Sequence, residues 1–444
     1  MILWIVGITT ILLILSVSYN VFLGLPLFLS VVMFAGYAYK KGYTIKQVGQ
    51  MIFSGAGKAL MVIRIFLLIG ALTALWMSCG TIPFFINMGI ELIHPSLFIL
   101  SAFMLSCAMS YLIGTSFGTA TTIGVVLMAI ARSGDVNLYL TAGAVLCGAY
   151  FGDRGSPMAS SLILASTVTE TDNHQNVAMC LKTATVPLII SSILFYIFSL
   201  QNPMATVSSD ITNSVAQTFN LNPIVVLPAL LILILAAFKV DVQRSIIISS
   251  ITAFILAITV QHSSLSNILK AVIFGFSLNE SSPIAHLIKG GGLLGMFNAA
   301  VVVLLSCCIA GIAEGTKITD HIFHSEKNLS RHGLYLKTLI VSFATSAIGC
   351  NQTIAIVMTS EIMKKQYSAF GLDNNDLVRD ITITASLTPT ILPWSIAVLT
   401  PVTMLGLSGV GYMPYLFFPY IMVIYHYVVY LVKSKKEAVQ TAEI

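Results

Sequence analysis

Scored only for apolar and polar positions, the chain divides into twelve apolar runs joined by short polar turns: 2–18, 21–39, 59–78, 97–131, 138–168, 181–199, 223–239, 245–260, 291–312, 334–363, 376–405 and 413–432. Most are close to the roughly 20 residues that a helix needs to cross ~30 Å of hydrocarbon. Residues 1–18 lack the basic start and small-residue cleavage site of a signal peptide and count as the first span. Two more polar stretches, Thr44–Gly57 and 264–278, predict pieces lying along the membrane surface, and Gly80–Pro95, free of basic residues, predicts an outer connection. Four of the long runs are interrupted. The breaks are GTSFGT at Gly114–Thr119, YFGDRGSPMASS at Tyr150–Ser161, GCNQT at Gly349–Thr353 and LTPTILPWS at Leu387–Ser395.

At bilayer depth, irregular backbone and charge persist only where they are buried in protein or line a cavity. The breaks are therefore the candidate site. The first offers Gly114, Thr115, Ser116 and Thr119, where an unwound backbone exposes carbonyls to a cation or solute. Gly114 and Gly118 fit close Gly-xxx-Gly helix packing equally well, and the motif alone does not choose. The second break carries Asp153 and Arg154 with Ser156, Ser160 and Ser161. The third adds Asn351, Gln352 and Thr353, and the fourth Thr388, Thr390, Trp394 and Ser395. Glu314, closing the 291–312 span, either caps loop backbone or joins the site. Glu361, three residues before Lys364, fits a surface helix pair better.

The breaks recur at matched spacing. Gly114 and Gly349 are 235 residues apart and Pro157 and Pro393 are 236 apart, a sign of internal repetition. Charge sets the direction. Lys40, Lys41 and Lys46, the turn Thr169–Lys182, Lys317 to Lys337, and Lys433 to Lys436 all fall on one side if both termini are cytoplasmic. Were 334–363 a full crossing, Lys364 and Lys365 would face outside; as a re-entrant hairpin it keeps them inside with Lys337. The same form applied to 97–131 leaves five crossings and one hairpin per half. Five is odd, so the second half is inverted. The expected fold is an all-α polytopic membrane protein of two inverted repeats with broken helices at the site. Residues 1–200 are the first repeat, 201–222 an extracytoplasmic connection, 223–432 the second repeat and 433–444 a cytoplasmic tail.

Composition agrees. Of 444 residues 57% are hydrophobic and 9% charged, against roughly 25% charged in soluble domains; mean hydropathy is +0.93. The net charge of +5 follows from the cytoplasmic loops and implies no nucleic acid. Seven cysteines without a Cys-x-x-Cys pair, and scattered histidines such as His321 and His324, supply no disulfide framework or metal set. With no nucleophile–base pair either, an enzyme is not indicated.

GTSFGT, Phe151-Gly-Asp153 followed by Ser156-Pro157, Cys350-Asn-Gln352, and Pro393-Trp394 after Thr388-Pro389 resemble the NhaC family of sodium/proton antiporters. So do LLIGALTALWMSCGTIP at 67–83 and QYSAFGLDNNDLVR at 366–379. The resemblance covers most of the chain from about residue 40. It implies inverted repeats with re-entrant hairpins, and a bundle of hairpins and broken helices that moves against the remaining spans. It implies sodium and protons as coupling ions and no other cofactor. The departures are acidic: Ser160 stands where the family has Asp, Thr382 and Ile383 where it tends to have Glu-Asp, and Ser395 where it has Asn. Asp153 is then the central carboxylate and candidate sodium ligand, unless Arg154 pairs with it. Fewer acids, with Arg154, Asn351 and Gln352 able to receive a carboxylate and Trp394 an apolar wall, leave a second reading: ion-coupled transport of a small organic solute such as an amino acid or carboxylate. The bilayer is the expected partner, and a homodimer is compatible with the chain.

Overall fold

The computed structural model describes residues 2–19, 21–92, 94–204, 209–238, 240–278, 289–316, 330–407 and 409–442. Lys317, Lys327, His321 and His324 lie outside the described residues. Apart from a two-residue antiparallel pairing of Phe276–Ser277 with Lys289–Gly290, the regular structure among the described residues is helical. Among the described residues, four helices are long and apolar enough to cross a membrane, or up to six if each of two bent pairs is one span. Several shorter apolar helices, such as Gly24–Lys40 and Phe417–Val432, stand beside them.

Three connecting stretches carry helix, and the first of them departs from the sequence expectation. Thr44–Gly57 does not form a separate surface piece; it opens one 34-residue helix, Ile45–Ser78. Thr44 and Gln47 make a reciprocal capping box at its start, which satisfies two orphan donors and commits the polar turns to helix. Gly55 in that helix is a contact surface: a Cβ there would stand 2.1 Å from the Cys307 carbonyl oxygen, and one at Gly311 would stand 2.3 Å from the Met51 carbonyl oxygen. The Ile45–Ser78 and Phe297–Gly315 helices thus meet backbone to backbone. Beyond Gly80, whose φ is +87°, the outer connection contains a helix, Thr81–Leu92, and the path bends by 66° there. The 201–222 connection likewise holds a helix, Ser209–Thr218.

The two interrupted runs 97–131 and 334–363 both fold back on themselves. In the second, Arg331–Gly349 and Gln352–Ala369 form the arms. Thr345 Oγ1 lies 3.0 Å from Thr359 Oγ1 and Thr338 Oγ1 3.0 Å from the Tyr367 hydroxyl, an antiparallel register. In the first, Phe98–Ile113 leads through Gly114 to Ser116–Thr119, a π turn over Ala120–Gly124, and Val125–Ser133. Both its ends reach Met204: Met204 N donates to Pro95 O at 2.9 Å, and a Cβ at Gly134 would strike the Met204 side chain. The tips are alike. Gly114 and Cys350 are left-handed, and Thr115 and Asn351 are extended N-caps that accept from Gly118 N and Thr353 N.

The hairpins open at opposite ends of the molecule. From the Met204 end a broken helix, Leu138–Gly155 and Ser160–Val168, runs across to Glu170. There Lys364 of the second hairpin bonds the Glu170 carboxylate at 2.8 Å, which holds that carboxyl below its ordinary range. A second broken helix returns through Asn374–Ile383, a short turn at Thr388–Ile391 and Ile396–Met404, with a bend of 57° between Asn374–Ile391 and Ile396–Met404. Its far end receives Arg132 of the first hairpin on the carbonyls of Leu405 and Gly406.

Close approach builds the centre. A Cβ on Gly152 would lie 2.1 Å from the Ser110 carbonyl carbon, and one on Gly148 2.7 Å from Phe103 O. Backbone cannot yield as a side chain can, so Gly152→Ala is expected to cost about 1–3 kcal/mol. Purified in detergent, the variant should melt several degrees below the parent; an unchanged melting temperature would show that the helices part freely.

Candidate functional site

The four interruptions converge. Gly114 at the first hairpin tip backs onto the Met158 backbone in the first broken helix, and Ser156 Oγ donates to Tyr111 O at 2.7 Å. At the second tip, Ile396 N donates to Cys350 O at 2.9 Å, joined by Ser395 Oγ at 3.4 Å. Trp394 Nε1 donates to Ala347 O at 3.2 Å. Thr388 Oγ1 lies 2.8 Å from Ser346 Oγ, and Thr390 Oγ1 donates to Leu387 O at 2.6 Å. The Tyr150 hydroxyl crosses to Ala397 O, linking the two broken helices.

Asp153 stands where these contacts meet. It ends the last helical turn before Gly155, 4% exposed. Its Oδ1 faces Ser116 N at 3.4 Å and its Oδ2 accepts from Gln352 Nε2 at 2.9 Å. One carboxylate is thus held between the start of the second arm of each hairpin. Ser161 Oγ donates to the Asp153 carbonyl, and Gln352 Nε2 also donates to Ser386 O at 2.9 Å. Among the described residues, no three His, Cys, Asp or Glu side chains gather as a metal site.

Arg154 does not pair with its neighbour. One residue further round the helix, its guanidinium points into protein, bonding Thr382 O at 2.8 Å, Cys180 O at 3.1 Å and Thr183 Oγ1 at 2.7 Å. These neutral oxygens fix it as a structural tie between the two broken helices, turned away from the carboxylate. Ser160 and Thr353 are exposed on the outer sides of their breaks, and Thr353 N serves the Asn351 cap. Thr115 caps Gly118 N, and Thr119 Oγ1 donates to Thr115 O. Glu314 sits exposed in the last turn of Phe297–Gly315, beyond the buried Ile312 and Ala313.

A second buried carboxylate escaped the sequence reading. Asp380, fully buried, accepts from Arg331 Nη2 at 2.6 Å, the Tyr367 hydroxyl at 2.6 Å and the Tyr430 hydroxyl at 2.7 Å. Arg379 Nε lies 3.7 Å away, and the Arg331 guanidinium stacks 3.9 Å from the Tyr430 ring centre. The signal was in the periodicity: Leu377, Asp380, Ile381 and Thr384 repeat at helical spacing on the buried face. A carboxylate on that stripe requires partners.

Long apolar helices, two helical hairpins, and polar breaks meeting around one buried carboxylate are the features of a multi-pass membrane transporter. The chain belongs to the Na+/H+ antiporter family, whose sequence profile matches residues 1–200 and 202–434. It is 30% identical over 420 residues to the malate-2H(+)/Na(+)-lactate antiporter of Bacillus subtilis (strain 168), covering 92% of this chain and 90% of that one. With the Na(+)/H(+) antiporter NhaC of the same organism it shares 29% identity over 409 residues, 89% of each chain. With the arginine/ornithine antiporter ArcD of Halobacterium salinarum (strain ATCC 700922 / JCM 11081 / NRC-1) it shares 26% over 388 residues, 85% of this chain and 80% of that one.

Proposed function

We propose that the protein is a secondary active transporter that exchanges sodium for protons by alternating access, with Asp153 as the group that holds either ion. The observation that carries this reading is the setting of that carboxylate: buried, reached by both hairpins, and bonded by neutral donors alone. A buried carboxylate without a neutralising base gains from taking up a cation or a proton, and one excludes the other. Mutual exclusion at a single group is the chemical content of exchange. Carbonyls freed at the breaks, with Ser161 on the Asp153 carbonyl and the Thr388 and Ser395 hydroxyls at the second hairpin tip, are the kind of oxygen set that suits a dehydrated sodium ion.

The chain is read as two inverted copies, 1–200 and 223–432, a plan supported by hairpins that open at opposite ends. The positive-inside bias assigns the end carrying Arg331 and Lys364 to the cytoplasm, with both termini. The hairpins and broken helices form the moving bundle, and the first spans of each half form the scaffold.

A second reading, exchange of a small organic solute coupled to sodium or protons, draws on two observations. By the family resemblance Ser160, Thr382 and Ile383 stand where acids are expected, and two relatives carry names that include organic solutes. In proteoliposomes loaded with a pH dye, an imposed sodium gradient should move protons with no organic compound present. The apparent KM for sodium should rise up to about tenfold per unit fall in pH where the protonated carboxyl predominates. Proton movement that appears only on adding a carboxylate or amino acid would establish the second reading instead.

A further inference from the structure

Gln352 sets the donor end of a side-chain amide against the buried Asp153 carboxylate. It is the first residue of the second arm of its hairpin, and its Nε2 lies 2.9 Å from Asp153 Oδ2 and 2.9 Å from Ser386 O. Neither a carboxylate nor a carbonyl has a proton to give, so the nitrogen of the amide must face them, and the orientation is set by its partners. The other oxygen of Asp153 faces Ser116 N. Both oxygens of the carboxylate are therefore capped by donors, one of which is a side chain on the tip of a hairpin.

The same amide nitrogen ties three elements together: the second hairpin, the first broken helix through Asp153, and the second broken helix through Ser386. While that nitrogen is in place it takes one lone-pair direction of Oδ2 and turns the positive end of an N–H dipole toward any arriving cation. When the amide leaves or turns its oxygen inward, the bond to Ser386 O breaks with the bond to Asp153. We propose that Gln352 is an internal stand-in for the transported cation: it caps Asp153 in the empty carrier and yields to sodium, so that ion binding and release of the second hairpin tip from both broken helices are a single event. The proposal rests on the assignment of Asp153 as the ion-holding group. It gives Gln352 the role of competitor, which opposes sodium binding, where a simple ligand would favour it.

The test is sodium binding to the full chain purified in detergent, followed by thermal shift across a sodium series with choline holding ionic strength constant. A hydrogen bond to a charged group is strong enough that deleting the competitor should tighten apparent sodium affinity by about tenfold in Gln352→Ala. Gln352→Asn, whose shorter amide cannot span both acceptors, should shift it the same way by less and keeps the question answerable if the alanine variant fails to fold. In proteoliposomes Gln352→Ala should also pass sodium without matching proton counterflow. Unchanged or weakened sodium affinity in both variants would overturn the competitor role. Failure of the underlying assignment looks different: Asp153→Asn would then keep the sodium-dependent shift whatever happens at Gln352.

Discussion

Asp153→Asn is expected to abolish exchange, lowering sodium-driven proton flux at least about a hundredfold, while the protein still folds. The argument is one of charge and shape. Asn has the outline of Asp, and its carbonyl oxygen can keep the bond from Gln352 Nε2. Its amide nitrogen then faces Ser116 N, where only a long 3.4 Å contact is lost. Packing is preserved and the melting temperature should change by a few degrees at most. The negative charge is gone, and no other carboxylate takes part in the contacts described around this position. A neutral amide cannot take up a proton near neutral pH and holds sodium poorly without a counter-charge. Flux in proteoliposomes, with the melting curve as a control on folding, decides the matter; undiminished flux from the variant would remove Asp153 from the mechanism.

The largest effect on stability is expected at the other buried carboxylate. Asp380→Ala leaves the Arg331 guanidinium, only 13% exposed, and the Tyr367 and Tyr430 hydroxyls without their shared, fully buried acceptor. Removing one partner of a buried charge pair costs about 3–5 kcal/mol, because the remaining charge stays desolvated. Loss of monodisperse protein on extraction, or a melting temperature lower by about ten degrees or more, is the outcome to look for. Asp380→Leu combined with Arg331→Met removes both charges and should recover much of the loss, which separates an unpaired charge from a cavity. If the double variant were no better than the single, the energy would lie in packing instead.

Both carboxylates are aspartates near helix ends, yet only one was legible from the chain. Asp153 announces itself because glycines, a proline and serines surround it inside an apolar run, and such residues at that depth have few structural uses. Asp380 follows the polar turn at 366–379 and looks like the tail of a solvated helix until its register is traced. The hairpins were legible through charge: Lys364 and Lys365 demanded the same side as Lys337, and the antiparallel arms answer that demand. Arg154 was not legible, since the sequence left open both a pair with Asp153 and a role in receiving a carboxylate, whereas successive residues on a helix diverge by about 100°. The helix inside 80–95 and the unbroken Ile45–Ser78 helix were hidden for a related reason. Glycine reads as a weak point when only local propensity is weighed, but Gly55 is spent on contact with a distant helix.

That contact limits which parts of the molecule can be displaced. Sliding between two helices requires side chains that exchange one set of neighbours for another. Where Met51 and Gly55 meet Cys307 and Gly311 there are no side chains between the two main chains to be exchanged. A one-residue slip would drive Ser54 or Ala56 into the place vacated by Gly55, and there is no room for the Cβ of either. The seam is a fixed datum with a single register, so any slip plane in this protein must run elsewhere.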